Sequence, residues 1–252
     1  MAEEHVEEFR HRGWTMVYSR TGLRSGPGVV LVHGIGMGRK VYTDLAAELG
    51  RHMSVYSVDL PGFGDSPEPS AAADIATTGD LIAEFIRWAP LKNPVLAGHS
   101  MGGQVVAEAL ARHPELSSRG RAHRFRGQPR RAPRGPAGAA HGSGPQRGKP
   151  QGAGPGHPPL SEGRPTLVCA QDATLLNHRL EETCPNISAE VLVLGGEKDR
   201  VCPRAWLEEI TELLPHGRLE EIPGRGHEAV INTPQPAADL ILEHARLRPP
   251  AQ

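Results

Sequence analysis

The strongest constraint on the fold is the alternation of short apolar runs with longer amphipathic segments. Four runs rich in Val, Leu and Tyr have the length and composition of buried parallel strands; they are 29–32, 54–58, 94–97 and 191–194. Apolar residues recur at helical spacing in 41–49, 74–88, 101–113, 203–214 and 234–247. This pattern predicts an α/β fold with a mostly parallel central sheet covered by helices on both faces, and with 14–19 as an antiparallel edge strand.

Composition and charge exclude several classes of protein. The 252 residues carry a net charge of -1, which argues against nucleic acid as the main partner. The acidic N-terminus and the lack of a long apolar run predict a cytoplasmic protein that does not bind a membrane. The three cysteines, Cys169, Cys184 and Cys202, show no C-x-x-C spacing, so neither a disulfide framework nor a metal site is expected.

One segment interrupts the pattern. Residues 117–160 are rich in Arg, Gly and Pro and contain neither Asp nor Glu, so they cannot bury enough apolar surface to offset the entropy cost of ordering. We therefore predict a disordered or irregular segment over 117–173. The segments 1–116 and 174–252 are then predicted to be the two parts of a single α/β core.

A serine sits at the end of the third predicted strand. The pentad Gly98-His99-Ser100-Met101-Gly102 fits the pattern G-x-S-x-G between a strand and a helix. In such a turn the serine hydroxyl projects outward as a nucleophile, and the flanking glycines prevent collisions between neighbouring backbone segments. The backbone N–H of Met101 is predicted to donate a hydrogen bond to a developing oxyanion.

A glycine-rich loop follows the first predicted strand. In His33-Gly34-Ile35-Gly36-Met37-Gly38, the N–H of Ile35 is the predicted second oxyanion donor, and His33 and Gly34 are predicted substrate-binding residues. A dinucleotide-binding fingerprint would need glycine at Arg39, and a P-loop would need G-K-[ST], so both phosphate-binding alternatives fail.

A serine nucleophile needs a base and a group that orients the base. Asp199 follows the strand at 191–194, and His227 follows the segment R-L-E-E-I-P. Both therefore lie in loops at strand ends, and the order Ser, Asp, His matches that of nucleophile-elbow hydrolases. The nearest alternatives are Glu197 as the acid and His99 as the base. We expect the ring of His99 to point away from the serine and to serve in packing.

Together, H-G-I-G-M-G, D-L-P-G-F-G-D-S, G-H-S-M-G-G, G-G-E-K-D and G-R-G-H resemble the α/β-hydrolase superfamily, in its general esterase-like branch. The resemblance implies Ser100 as nucleophile, Asp199 as orienting acid and His227 as base. It also implies acyl-enzyme chemistry on a small ester or related acyl substrate, with neither a metal nor an organic cofactor. Asp65, in the second motif, is expected to shape the pocket rim rather than to act as the acid.

The atypical segment departs from this resemblance, because it stands where relatives have a core strand and a helical lid. We hypothesise that the segment is read out of frame relative to an ordinary ancestor. Loss of the strand would misplace the triad and weaken turnover, unless 166–170 replaces it. Two alternatives remain: a catalytically inactive relative that acts as a binding module, and nucleic-acid binding through the Arg/Gly-rich run.

Overall fold

The computed structural model describes residues 5–71, 73–91, 93–118, 177–232 and 234–247. The strands are β1 (His5–His11), β2 (Trp14–Gly22), β3 (Gly28–Val32), β4 (Ser54–Asp59), β5 (Val95–Gly98), β6 (Val191–Gly196) and β7 (Gly217–Ile222). The helices are α1 (Thr43–Gly50), α2 (Ile75–Trp88), α3 (Met101–Arg112), α4 (Glu115–Ser118), α5 (Leu180–Thr183), α6 (Arg204–Leu213), α7 (Ala229–Asn232) and α8 (Pro234–Leu247). Nearly all of the atypical segment, including 166–170, lies outside the described residues.

The described strands form two sheets. The first has the order β1-β2-β4-β3-β5, in which β3 is parallel to both β4 and β5. The second consists of the parallel pair β6 and β7. No described strand lies between β5 and β6 to join the two sheets. The resemblance to relatives leads us to expect a strand there, and the residues expected to form it belong to the atypical segment.

The first sheet begins with a hairpin that the sequence did not predict. β2 is antiparallel to β4, as predicted for 14–19, but the prediction that it is the edge strand is wrong, because β1 pairs with its other side and forms the edge. Arg12 and Gly13 both have positive φ values, 47° and 86°, which suits a two-residue hairpin turn. The run H-V-E-E-F-R-H is mostly exposed and therefore lacks the apolar pattern by which buried strands are recognised.

Helices cover both faces of the sheet, which places apolar cores above and below it. In β3, Val30 and Val32 face one core, to which α2 and α3 contribute. Leu31 faces the opposite core, to which α1 and α8 contribute. Because both faces are covered, every residue of β3 is buried, and the predicted α/β layering is confirmed.

The main helices agree closely with the periodicity of the sequence. The segment predicted over 74–88 forms α2, and Asp74 caps its first turn by accepting a 2.7 Å hydrogen bond from the N–H of Thr77. The prediction of 234–247 matches α8 without change. Across the described residues, no helix combines the length and the apolar character needed to cross a bilayer.

Candidate active site

Ser100 lies in a sharp turn between β5 and α3. Its φ of 54° and ψ of −119° are rare for a residue with a side chain, and strain of this kind concentrates at functional sites. Two glycines permit the turn. A Cβ atom on Gly98 would lie 2.2 Å from the carbonyl oxygen of Gly102, and one on Gly102 would lie 2.1 Å from that of Val32. The Ser100 hydroxyl does not cap α3.

Asp199 and His227 are joined by a hydrogen bond. The Nδ1 atom of His227 lies 2.8 Å from Oδ2 of Asp199. The other carboxylate oxygen of Asp199 accepts the N–H groups of Val201 at 2.8 Å and Cys202 at 2.9 Å. An ionised carboxylate only accepts, so Nδ1 carries the hydrogen and Nε2 of the neutral ring keeps its lone pair. This arrangement orients the imidazole as a base.

Two further contacts hold the acid and base loops together. Glu197, the alternative acid, accepts the N–H of Gly224 at 2.6 Å. The N–H of Lys198 donates to the carbonyl of Arg225, also at 2.6 Å. Glu197 is therefore engaged with the backbone of the base loop, and Asp199 is the acid that contacts the imidazole.

His99 connects the serine turn to the base loop. Its Nε2 lies 2.9 Å from the carbonyl oxygen of His227, and the two rings are 4.8 Å apart between centroids. Burial lowers the pKa of His99 to about 4, so the ring is neutral and its Nε2–H donates. The expectation that His99 only packs therefore missed its hydrogen bond to the base loop. Within the described chain, no hydrogen bond joins Ser100 directly to His227.

The glycine-rich loop approaches the serine closely. A Cβ atom on Gly34 would lie 3.3 Å from that of Ser100. Met101 is the first residue of α3, so its N–H has no acceptor within the helix. In the described part of the chain, no turn hydrogen bond uses the N–H of Ile35. The N–H groups of Ile35 and Met101 therefore donate to no nearby backbone carbonyl among the described residues.

His33 was predicted to bind substrate, but its side chain lies in the protein interior. The residue is fully buried. Its Nδ1 donates to the Gly34 carbonyl at 2.7 Å, and its Nε2 accepts the N–H of Leu60 at 3.0 Å. Because both ring nitrogens are occupied, His33 fixes the loop, and its imidazole is not directed at a ligand. Burial lowers its pKa, which keeps the ring neutral.

A buried ion pair anchors the turn after the glycine-rich loop. The carboxylate of Asp59 accepts hydrogen bonds from the guanidinium and the backbone N–H of Arg39 and from the N–H of Asp65. Asp65 itself lies 2.8 Å from the Arg39 guanidinium and 3.1 Å from the Lys40 ammonium. Its hydrogen bond from Arg39 lowers the pKa of Asp65. Asp65 thus belongs to this loop anchor and does not contact the base.

The described residues line a mostly apolar space of about 570 Å³ between β5 and β6. Ser100, Asp199 and His227 all contribute to its wall, as do apolar residues from both strands, including Leu96 and Val193. Its volume is within the range of small-molecule sites. The site therefore combines a reactive group, a base and an apolar space.

The same loops bring a thiol near the acid and the base. Ligand atoms of Asp199, Cys202 and His227 all lie within 4.8 Å of one another. Cys202 is a free cysteine, and burial raises the pKa of its thiol to about 11. This cluster was not predicted from the sequence, because His227 lies in a loop distant along the chain from Asp199 and Cys202.

A comparison with known protein families shows to which family this chain belongs. The profile of the alpha/beta hydrolase family matches residues 29–240, which is most of the chain. The chain belongs to the alpha/beta hydrolase family. The resemblance inferred from the five motifs is thereby confirmed, and this alpha/beta hydrolase carries its serine turn and both candidate partner loops within the matched residues.

Relatives of this alpha/beta hydrolase include named esterases. The pimeloyl-[acyl-carrier protein] methyl ester esterase of Pseudoalteromonas atlantica is 36% identical over 104 residues, which cover 40% of this chain and 37% of that protein. The matched part thus spans little more than a third of that relative's length.

Solved structures share the fold of this chain. A bacterial membrane phospholipase A has a TM-score of 0.73 at 23% identity, covering 97% of this chain and 87% of that one. An esterase from Exiguobacterium antarcticum has a TM-score of 0.71 at 20% identity, covering 92% and 96%. At such identities the similarity establishes the fold alone.

Proposed function

We propose that this protein is a serine hydrolase that cleaves a small ester or related acyl compound through Ser100, Asp199 and His227. The observation that carries the proposal is the 2.8 Å hydrogen bond between Asp199 and His227 beside a cavity that Ser100 also lines. The strained serine turn and the family membership support it.

The reaction follows from the chemistry of these groups. Nε2 of His227 removes the hydroxyl proton as Ser100 Oγ attacks the carbonyl carbon, and the N–H groups of Ile35 and Met101 stabilise the resulting oxyanion. The imidazolium, stabilised by Asp199, then gives its proton to the departing alcohol and leaves an acyl-enzyme. Water, activated by the same imidazole, releases the acid. No metal or organic cofactor takes part in these steps.

The substrate class is supported by the cavity and by the relatives. The wall is largely apolar, which suits the hydrocarbon part of an acyl group. The methyl ester esterase among the relatives cleaves an ester according to its name. Both observations favour a carboxylic ester over a phosphate ester or a nucleotide.

We expect turnover to be slow. The nucleophile follows β5, whereas the acid and the base follow β6 and β7, and the described strands of these two sheets are not hydrogen-bonded to each other. The hydrogen bond from His99 to the base loop is one restraint on their separation, beside the packing of both sheets in shared apolar cores. A misplacement of about 1 Å costs roughly a hundredfold in rate.

A fluorophosphonate probe tests the proposal, because it labels a serine only when the base and the oxyanion donors are in place. We expect labelling at Ser100, with none in Ser100→Ala and slower labelling in His227→Ala. His216→Ala is the matched control, since His216 is exposed and precedes β7, at the other end of that strand from the His227 loop. An unlabelled wild-type protein that is folded would indicate the catalytically inactive alternative.

A further inference from the structure

The acid loop of the active site folds so that a thiol stands beside the carboxylate. Asp199 accepts the backbone N–H groups two and three residues further on, at 2.8 and 2.9 Å. This turn brings Cys202 back towards the Asp199 carboxylate. Because Asp199 also binds His227, one carboxylate oxygen, one thiol sulfur and one imidazole nitrogen lie within 4.8 Å of one another.

These three donors suit one class of cation. Thiolate and imidazole bind Zn²⁺ well, whereas Mg²⁺ and Ca²⁺ prefer oxygen ligands alone. Three protein ligands of the types Cys, His and Asp, with a fourth position left for water, match the ligand number of open zinc sites. A thiolate and a carboxylate together balance the two positive charges of the ion.

The cluster is accessible from the cavity, and its carboxylate is held in place. Cys202 and His227 are partly exposed, and all three residues line the cavity between β5 and β6. Asp199 is held by its two backbone hydrogen bonds, so its carboxylate needs little rearrangement. In the described chain, Cys184, the other free cysteine, is buried and also lines this cavity, but it is not part of this cluster.

We propose that Asp199, Cys202 and His227 form a zinc-binding site, and that Zn²⁺ bound there inhibits the enzyme reversibly. The inhibitory part rests on the proposed function, whereas the binding part does not. The ion displaces the proton of the Cys202 thiol, which passes to the solvent, and forms bonds to the sulfur, to the Asp199 carboxylate and to one ring nitrogen of His227.

Inhibition is expected whether the ion binds Nδ1 or Nε2 of His227. If Nδ1 binds the ion, its proton is displaced and the neutral ring carries its hydrogen on Nε2, which then cannot accept the serine proton. If Nε2 binds the ion, its lone pair is occupied directly. In both cases His227 no longer acts as the base, because its acceptor nitrogen is either protonated or bound to the ion.

The binding part is tested with Co²⁺, which substitutes for Zn²⁺ and gives an absorption band when bound to a thiolate. We expect this band in the wild type, in Ser100→Ala and in the matched control Cys184→Ala, and its loss in Cys202→Ser. Zn²⁺ should abolish the band by competition. Absence of the band from the wild type, or its persistence in Cys202→Ser, would overturn the proposal. The wild-type spectrum is decisive even if a variant fails to fold.

The inhibitory part is tested by measuring p-nitrophenyl acetate hydrolysis against Zn²⁺ concentration. We expect inhibition of the wild type, recovery on adding a chelator, no effect of Mg²⁺, and an inhibition constant raised at least about tenfold in Cys202→Ser. Equal sensitivity of both proteins would refute a role for the thiol. If no esterase activity is found but the cobalt band is present, the proposed function fails while the metal site stands.

Discussion

Replacing Gly102 with alanine is the sharpest test of how the serine turn works. The new Cβ atom would lie 2.1 Å from the carbonyl oxygen of Val32 and 2.6 Å from that of His33. Both neighbours are backbone atoms at the end of β3, so no side chain can rotate away to make room. The end of β3 and the start of α3 must therefore separate.

The size of the effect follows from these distances. The shorter contact must widen from 2.1 Å to at least 3.0 Å, which moves Ser100 and the N–H of Met101 relative to the glycine-rich loop by nearly the same amount. A shift of about 1 Å in a reacting group costs roughly a hundredfold in rate. We therefore expect kcat/KM to fall about a hundredfold in Gly102→Ala, or about 2.7 kcal/mol of transition-state stabilisation.

The neighbouring glycine provides the matched control. A Cβ atom on Gly103 would lie no closer than 3.6 Å to its nearest heavy atom, and the residue is within α3. Alanine favours a helix over glycine by about 1 kcal/mol, so Gly103→Ala should keep its activity and gain stability.

The assay combines two readouts of the same geometry. The rate of fluorophosphonate labelling and the hydrolysis of p-nitrophenyl acetate are measured for both variants, and circular dichroism on heating establishes that each is folded. The steric argument is refuted if folded Gly102→Ala reacts at the wild-type rate. It is equally refuted if both variants lose activity to the same degree.

Three further substitutions test the surrounding contacts. His99→Ala removes a hydrogen bond worth about 1 kcal/mol, so kcat should fall about fivefold. Because the pKa of His99 is lowered to about 4, its ring is neutral near pH 7, and a kcat–pH profile should show the same loss throughout the neutral range. Asp59→Ala leaves the buried guanidinium of Arg39 without its main partner, and urea denaturation should show a free energy of unfolding lower by about 3–5 kcal/mol; an unchanged value would contradict this. The hydrogen bond from Arg112 lowers the pKa of Asp80, so this carboxylate contributes stability above its ordinary pKa of 3.8 and loses it as the pH falls through the lowered value. Asp80→Asn should therefore lower the free energy of unfolding at neutral pH by less than about 1 kcal/mol, because the pair is partly exposed. The midpoint of urea denaturation should also depend less on pH in the acid range than it does in the wild type.

Local pattern was sufficient for most of the helices and buried strands. The periodicity over 234–247 predicted α8 and that over 74–88 predicted α2, because amphipathic spacing acts over a few residues. The edge strand β1 escaped prediction for the same reason. Its stabilising partners are in β2, and its own residues are mostly exposed, so no apolar pattern identifies it.

Roles that depend on distant contacts could not be predicted in this way. His99 was expected only to pack, yet its ring is hydrogen-bonded to a carbonyl 128 residues away. His33 was expected to contact substrate, yet its two ring nitrogens are used to fix the loop. Neither partner can be read from the residues beside these histidines.

The sequence by itself determined the α/β layering and the places where reactive side chains follow strands, since hydrophobic period, glycine spacing and strand ends are local properties. Tertiary structure decided which of those side chains meet. It brought Asp199 to His227 across 28 residues, set Cys202 beside both, and placed all three in the wall of one apolar space lined by described residues. The physical reason is that such contacts depend on how separate loops and sheets pack against one another, which no short stretch of chain specifies.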